Sequence, residues 1–369
     1  MIQGNIHLRL SPPDQPVEAR RPVPATTFLA VAGLDLSRRA SWHRRRVSAS
    51  PILKAFLPLC LLLAGVEAFS LAVFGFKGIG VSADTWMTLA TASLLGFAAV
   101  GAAYWHGSAV SMRIAVSFAL FLQMPAALAL FSYATTALGA SFATTDSLLA
   151  RIDAAMGVDW LAIVAWFNQS PVLIEFLERA YHGTIAMVIY VLVLLNLMGR
   201  TRAIFHYFLL VIVTCLVCSG ASLVIPALGA FVFFQPDEAL RSAIPADAGI
   251  WHLQHFEALR AGTFRVFDMS ATEGLVTFPS YHTAVALSVP LALRGLGAIS
   301  GIAWAAATVV VVSTVPIGGH YVIDVIAGAA IAIAADRIIR HVLWRTSPRR
   351  AAARGPVTWP ATEPSPPAH

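Results

Sequence analysis

The sequence predicts an all-α protein, a polytopic transmembrane helical bundle of about eight spans, and three observations carry that prediction. Mean hydropathy is +0.73 over the chain. Hydrophobic residues make up 58% of it and charged residues only 12%, about half the charged fraction of a water-soluble domain. The apolar residues are gathered into runs near the ~20-residue length that crosses a hydrocarbon core.

Eight such runs stand at 52–74, 85–104, 114–138, 183–198, 204–225, 281–297, 299–315 and 321–343. The gaps between most of them are short, so one bundle is expected, although 369 residues would allow two or three soluble domains. Residues 1–50 carry Pro12, Pro13, Pro16, Pro22 and Pro24, then Arg38, Arg39, Arg44, Arg45 and Arg46. That composition is too polar for a secretory signal of the usual form and is expected as a disordered basic cytoplasmic tail. Residues 346–369, with Arg349, Arg350, Arg354 and repeated prolines, are expected as a second one. Between the tails lie N-terminal transmembrane helices over 51–138 and a membrane core over 139–345.

Placing the N-terminal arginines in the cytoplasm and crossing eight times puts Arg113, Arg200, Arg202, Arg294 and the C-terminal arginines on that same side, as the positive-inside rule requires. The net charge of +6 and pI near 9.6 are explained by this distribution and by anionic lipid, so no nucleic-acid partner is expected. An integral protein of the plasma (inner) membrane with both termini cytoplasmic follows. Two longer loops, 139–182 and 226–280, fall outside. In the first, Asp159, Trp160, Trp166 and Asn168 mix with apolar residues, as in a helix lying in the interface. Cys215 and Cys218 sit inside an apolar run without a second ligand pair, which supports neither a zinc site nor a disulfide framework.

The chemistry is concentrated in two short segments, each where an outer loop enters an apolar run. One is Phe278-Pro279-Ser280-Tyr281-His282-Thr283, and the other runs from Gly318-Gly319-His320 through Asp324 to Gly328. His282 and His320 are 38 positions apart, close to two crossings of about 19 residues, so both histidines are expected at one membrane face. On a helix His320 and Asp324 share a side, and the carboxylate can hold one ring nitrogen and leave the other as a nucleophile. His282 is then placed to protonate a departing oxygen. Gly318 and Gly319 clear side chains from the turn so that backbone N–H groups can approach a phosphate, and Ser280 can add a hydroxyl.

These residues resemble the type 2 phosphatidic acid phosphatase superfamily, whose signatures are Lys-x6-Arg-Pro, Pro-Ser-x-His and Ser-Arg-x5-His-x3-Asp. Ser280 and His282 match the second, and Ser313, His320 and Asp324 match the third. Thr314 stands where the family has arginine, and the first signature is absent. Loss of the basic positions with retention of His, His and Asp is similar to the branch of inositol phosphorylceramide synthase. So are the stretches Gly157-Val158-Asp159-Trp160, Ala180-Tyr181 and Leu259 to Asp268. The resemblance implies a phosphatase-type membrane core and metal-independent phosphoryl transfer on a lipid phosphate, with no cofactor. The acceptor is water in a phosphatase, or an inositol, sugar or lipid hydroxyl in a headgroup phosphotransferase. Arg260 and Arg265 are the expected replacement cations, because a dianionic phosphate needs positive charge and guanidinium binds it bidentately.

Other residues have plainer readings. His252 and His255 lack a third metal ligand at a convincing spacing. Asp153 and Asp159 are better read as a solvated face or helix caps than as paired acid and base. Tyr181 and His182 are better read as headgroup anchors than as pocket lining. The rival functions are a transporter and a catalytically inactive lipid-binding relative. Glu67 is the one ionisable residue near the middle of an expected span, which weighs against transport.

Overall fold

The computed structural model describes residues 36–345, with side chains described over 51–343. The chain divides into two compact units, Met1–Arg44 and Arg45–His369, and the contacts described below lie within the second. The C-terminal tail and most of the N-terminal one are outside the described residues. Among those residues are thirteen α-helices and a single pair of two-residue strands, so the fold is all-α.

The first three helices are α1 (Leu36–Lys77), α2 (Ala83–His106) and α3 (Ala109–Leu138). Helix α1 begins inside the stretch assigned to the N-terminal tail, where Arg, Ala and Leu are all good helix formers. Ser82 and Ser108 cap α2 and α3, each accepting a backbone N–H through Oγ, and Gly107 supplies the left-handed turn between them at φ +70°. Only 11% of the most apolar window of α2 is buried, and Phe97 on its outer side is 77% exposed. Apolar surface of that extent has no place in water, and a hydrocarbon solvent accounts for it.

Among the described residues four helical segments are long and apolar enough to cross a membrane alone: Pro51–Lys77, Ala83–His106, Ala109–Ser141 and Thr201–Val224. The last is α8. The other expected runs are also helical but fall outside that group. They are α7 (Thr184–Leu197), α11 (Tyr281–Ala292), α12 (Ala298–Ser313) and α13 (Val322–Arg345). Helices α7, α11 and α12 have 14, 12 and 16 residues, which at 1.5 Å per residue is less than a ~30 Å core. Gly199 ends α7, and Gly295 and Gly297, all with positive φ, separate α11 from α12. Helix α13 is long enough but carries Asp324, Asp336, Arg337 and Arg340.

The stretch expected as the first outer loop is mostly helical, forming α4 (Asp146–Ala155), α5 (Trp160–Asn168) and α6 (Pro171–His182). Helices α5 and α6 together are apolar enough for a span but are bent by 109° at Gln169–Ser170. Asp159 caps α5, and Ser170 followed by Pro171 starts α6. The expected interfacial helix corresponds to α5, yet its Trp160, Val164 and Phe167 are buried in a cluster with Tyr181, Phe231 and Tyr321. The second loop holds α9 (Ala230–Phe234), α10 (Leu253–Ala261) and β2 (Val266–Phe267), which pairs in parallel with β1 (Gly80–Val81).

Helix α8 lies at the centre and packs against α3, α11 and α13. Its Cys215 and Cys218 are buried and unpaired, as packing residues. Gly328 brings α13 against the start of α11: a Cβ there would collide with the Ser280 carbonyl. The Ser280 N–H donates to the Asp324 carbonyl at 3.0 Å. This close approach joins the two signature segments.

Candidate active site

His320 stands in the short turn between α12 and α13, and almost every polar group around it is engaged. Its N–H donates to the Thr314 carbonyl at 3.2 Å, and its own carbonyl accepts from Trp160 Nε1 at 3.0 Å. Nδ1 lies 3.3 Å from Asp324 Oδ2, which also accepts the Tyr321 N–H at 3.0 Å. The next residue is held as firmly, since the Tyr321 hydroxyl donates to Asp146 Oδ1 at 3.2 Å. Asp146 in turn accepts the N–H groups of Leu228 and Gly229, each at 3.0 Å. The imidazole is therefore clamped from both sides of the chain before any substrate arrives.

The start of α13 is capped from a distant part of the chain. Asp153 on α4 is 1% exposed and its two carboxylate oxygens accept the N–H groups of Val322 and Ile323, both at 2.8 Å. A helix N-terminus attracts anions because its first N–H groups lack intrahelical acceptors. Here a protein carboxylate has taken that position, so these two N–H groups are not open to a phosphate. The cap reading of Asp153 holds, but on α13 and in a buried place, and no solvated face is involved.

His320 and His282 line one cavity of about 390 Å³. At its polar end stand Tyr181, Trp251, His252, Glu273, Thr277 and Gly318, and its walls continue through Met124, Leu128, Val188, Val211 and Val285 into the bundle. Tyr181 stacks on His282 with ring centroids 4.2 Å apart, and its hydroxyl lies 3.2 Å from His282 Nδ1. A Cβ on Gly318 would sit 3.0 Å from both His320 Cδ2 and Tyr181 Cε2. Glycine is thus the residue that allows the tyrosine and the second histidine to close on one another. Gly319, at φ +69°, packs on Gly249 and Phe231, and its carbonyl accepts the Ala230 N–H at 2.8 Å. Neither Gly318 nor Gly319 has its N–H engaged among the described residues.

Burial disfavours a charged imidazole. It pulls His320 down to about 4, with the Thr277 carbonyl opposing, and pulls His252 down to about 4, with the Leu228 carbonyl opposing and His320 adding to the fall. Both rings are neutral at pH 7. For His320 a neutral ring is the form with a lone pair to offer. Among the described residues no group of three or more His, Cys, Asp or Glu side chains is placed to hold a metal ion.

Of the expected phosphate ligands only Gly318 lines the cavity; Gly319, Ser280, Arg260 and Arg265 stand elsewhere. Ser280 is fully buried and does not line the cavity; its Oγ caps α11, accepting the Thr283 N–H at 3.3 Å and the Thr283 hydroxyl at 3.1 Å. Arg260 lies on α10, where its guanidinium donates to the carbonyls of Gly139 and Phe142 and covers the Phe256 ring at 5.4 Å. Arg265 is exposed beside β2, and it too is absent from the cavity lining. Among the described residues no Arg or Lys lines the cavity, and Thr314 is buried with its hydroxyl donating to the Val311 carbonyl at 2.6 Å. For Arg265→Ala, kcat/KM on a lipid phosphate is expected to stay within about twofold of the parent, as for an exposed side chain away from the chemistry. A loss beyond about tenfold would return this arginine to the site.

Sequence reasoning also missed lining residues. Tyr181 is pocket lining, not a headgroup anchor, and His252 faces the cavity at 3.1 Å from the Leu228 carbonyl. The pairing of Ala180-Tyr181 with the signature histidines was the available signal for the first. Nothing local marks Asp146, Asp153 or His252, whose partners are 24 to 175 positions away.

A family model described as the PAP2 superfamily matches residues 147–338, which runs from the start of α4 into the C-terminal half of α13 and so contains every residue of the clamp except Asp146. No curated protein and no solved structure matches the chain. The match covers just over half of the sequence and includes both histidine segments, Asp324 and the carboxylate that caps α13: the chain belongs to the PAP2 superfamily.

Proposed function

We propose that this protein is a membrane-embedded lipid-phosphate phosphatase or headgroup phosphotransferase that works through a phosphohistidine on His320. Membership of the PAP2 superfamily supports phosphoric ester chemistry in general. The observation that carries the finer reading is the oriented imidazole: Nδ1 held by Asp324 at 3.3 Å, with the ring on a cavity it shares with His282. Nδ1 donates to the carboxylate, which leaves the Nε2 lone pair for phosphorus. As the N–P bond forms, the bond from phosphorus to the leaving oxygen breaks, and that oxygen takes a proton from His282. In the second step a water or alcohol oxygen attacks phosphorus, the N–P bond breaks, and His282 recovers a proton from the attacking oxygen. Asp324 stabilises the positive charge on His320 while the phosphoryl group is attached.

The helical state of all eight apolar runs is consistent with eight crossings, and in this reading both termini are cytoplasmic and the cavity opens to the extracytoplasmic side of the plasma membrane. A cavity polar at one end and apolar along its walls suits a phosphorylated headgroup with its chain in the bundle. In place of the family's cations we assign the free N–H group of Gly318, which lines the cavity, as a phosphate donor. A site without guanidinium or ammonium groups suits a phosphodiester, with one negative charge, better than a dianionic monoester. This favours the reading that resembles inositol phosphorylceramide synthase, in which a headgroup phosphate is passed to a hydroxyl acceptor.

Product analysis tests the assignment. The full chain in mixed micelles, given a phospholipid labelled in its phosphate with and without inositol or a lipid alcohol, is expected to transfer label to the alcohol. Label passed only to water, as a phosphomonoester from a diester or as inorganic phosphate from phosphatidate, would make it a hydrolase, and no turnover with either would remove both readings.

A further inference from the structure

A second cavity lies at the opposite end of the same three helices. It has a volume of about 860 Å³ and is lined by Arg200, Arg202, Arg294, Arg337 and Arg340, with His206 and His341 beside them. Helix α8 contributes its first turns to this cavity and Val211, Cys215 and Ser219 to the histidine cavity. Helix α11 contributes its last residues here and His282 there, and α13 contributes its C-terminal turns here, while His320 precedes its first turn. Asp324 and Asp336 on α13 are twelve residues apart, about 18 Å along a helix, so the two cavities are separate sites.

One buried carboxylate organises the basic one. Asp336 is 1% exposed and its Oδ2 pairs with Arg294 at 3.1 Å and with Arg340 at 2.6 Å, while Oδ1 lies 3.1 Å from His206 Nε2. That carboxylate offsets one of the five guanidinium charges. Arg200, Arg202 and Arg337 are exposed and have no carboxylate partner among the described residues. Charge placed only by the positive-inside rule needs no cavity; here guanidinium groups from three helical regions meet around one. Its remaining walls are apolar, formed by Phe56, Phe205, Leu291 and Leu343 among others. Excess positive charge beside an apolar wall at the end of a membrane helix bundle fits a phosphate joined to an acyl glycerol, and fits a small hydrophilic anion less well.

We propose that this cavity binds the phosphate of an anionic phospholipid, at the end of the bundle away from the histidines. Arg202 and Arg337 are the phosphate ligands, Arg294 and Arg340 are held in place by Asp336, and the acyl chains leave along α1 and α8. The site takes no part in phosphoryl transfer.

The test uses the full chain, delipidated in detergent, with labelled phosphatidylglycerol, labelled phosphatidylcholine and inorganic phosphate as probes. The parent protein and the His320→Asn variant are expected to retain phosphatidylglycerol in preference to phosphatidylcholine. The double variant Arg202→Ala, Arg337→Ala is expected to lose about tenfold or more in affinity for phosphatidylglycerol, with detergent-solubilised turnover unchanged. Equal retention of the two lipids, or full retention by the double variant, would overturn the proposal. Displacement of the lipid by inorganic phosphate at roughly millimolar levels, the weak affinity expected of a small anion, would assign the site to a free anion and overturn the lipid assignment.

Discussion

His320→Asn is expected to lower turnover by at least about 10³-fold, the scale on which removal of an activated nucleophile acts. The loss should appear in kcat, with trapping of a phosphorylated protein abolished and the thermal midpoint close to the parent's. The structural reason for expecting a catalytic effect and not a folding defect is that the backbone of this residue is held independently of its ring. Trp160 Nε1 holds its carbonyl at 3.0 Å and the Thr314 carbonyl holds its N–H at 3.2 Å, and both contacts survive in the variant. The label in the parent should be acid-labile and base-stable, as a phosphoramidate is. Turnover above about one tenth of the parent's, against the expected scale, would exclude His320 as nucleophile.

Asp153→Ala is expected to have the largest effect on stability. It leaves the N–H groups of Val322 and Ile323 in a buried place without acceptors, each having lost a 2.8 Å bond to a carboxylate. An orphaned buried donor costs about 1–3 kcal/mol, so the thermal midpoint in detergent should fall by roughly 5–10 °C. Turnover should fall as well, because the freed end of α13 begins two residues after His320. Restoration of most of the stability by Asp153→Glu, without restoration of turnover, would be the mark of a carboxylate whose position matters to the histidine. A midpoint within about 1 °C of the parent in Asp153→Ala would show that the helix end finds other acceptors.

The readable part of the site is the part that uses local spacing. His320 and Asp324 are four apart and meet as the helical repeat requires. The distance from His282 to His320 implied a hairpin of two apolar helices, and that is how α11 and α12 return the chain to the same cavity. The misreadings have a common cause. Arg260 and Arg265 were chosen for charge and nearness in sequence to the Pro-Ser-x-His segment, but α10 turns Arg260 toward the carbonyls of Gly139 and Phe142. Ser280 was chosen as a hydroxyl near a phosphate, yet it caps a buried helix whose first turn has an N–H to satisfy, and its Oγ is used there. The long outer loop showed α5 but hid α4 and α6, because α5 and α6 are each too short to stand out as a span and bend by 109° where they meet.

By itself the sequence determined the solvent, the helical character, the two histidines with their aspartate, and the gathering of arginines at the ends of the apolar runs. These follow from composition and from periodicities of a few residues, which chain geometry converts directly into neighbours. Only the tertiary structure decided which carboxylate caps α13, that Trp160 and Asp146 clamp the turn that carries His320, and that no guanidinium group among the described residues lines the histidine cavity. Those contacts join residues far apart in the chain, and in a bundle they depend on which helix faces which. That choice is made by the close packing of small residues such as Gly318 and Gly328, whose consequence lies in the partner they admit.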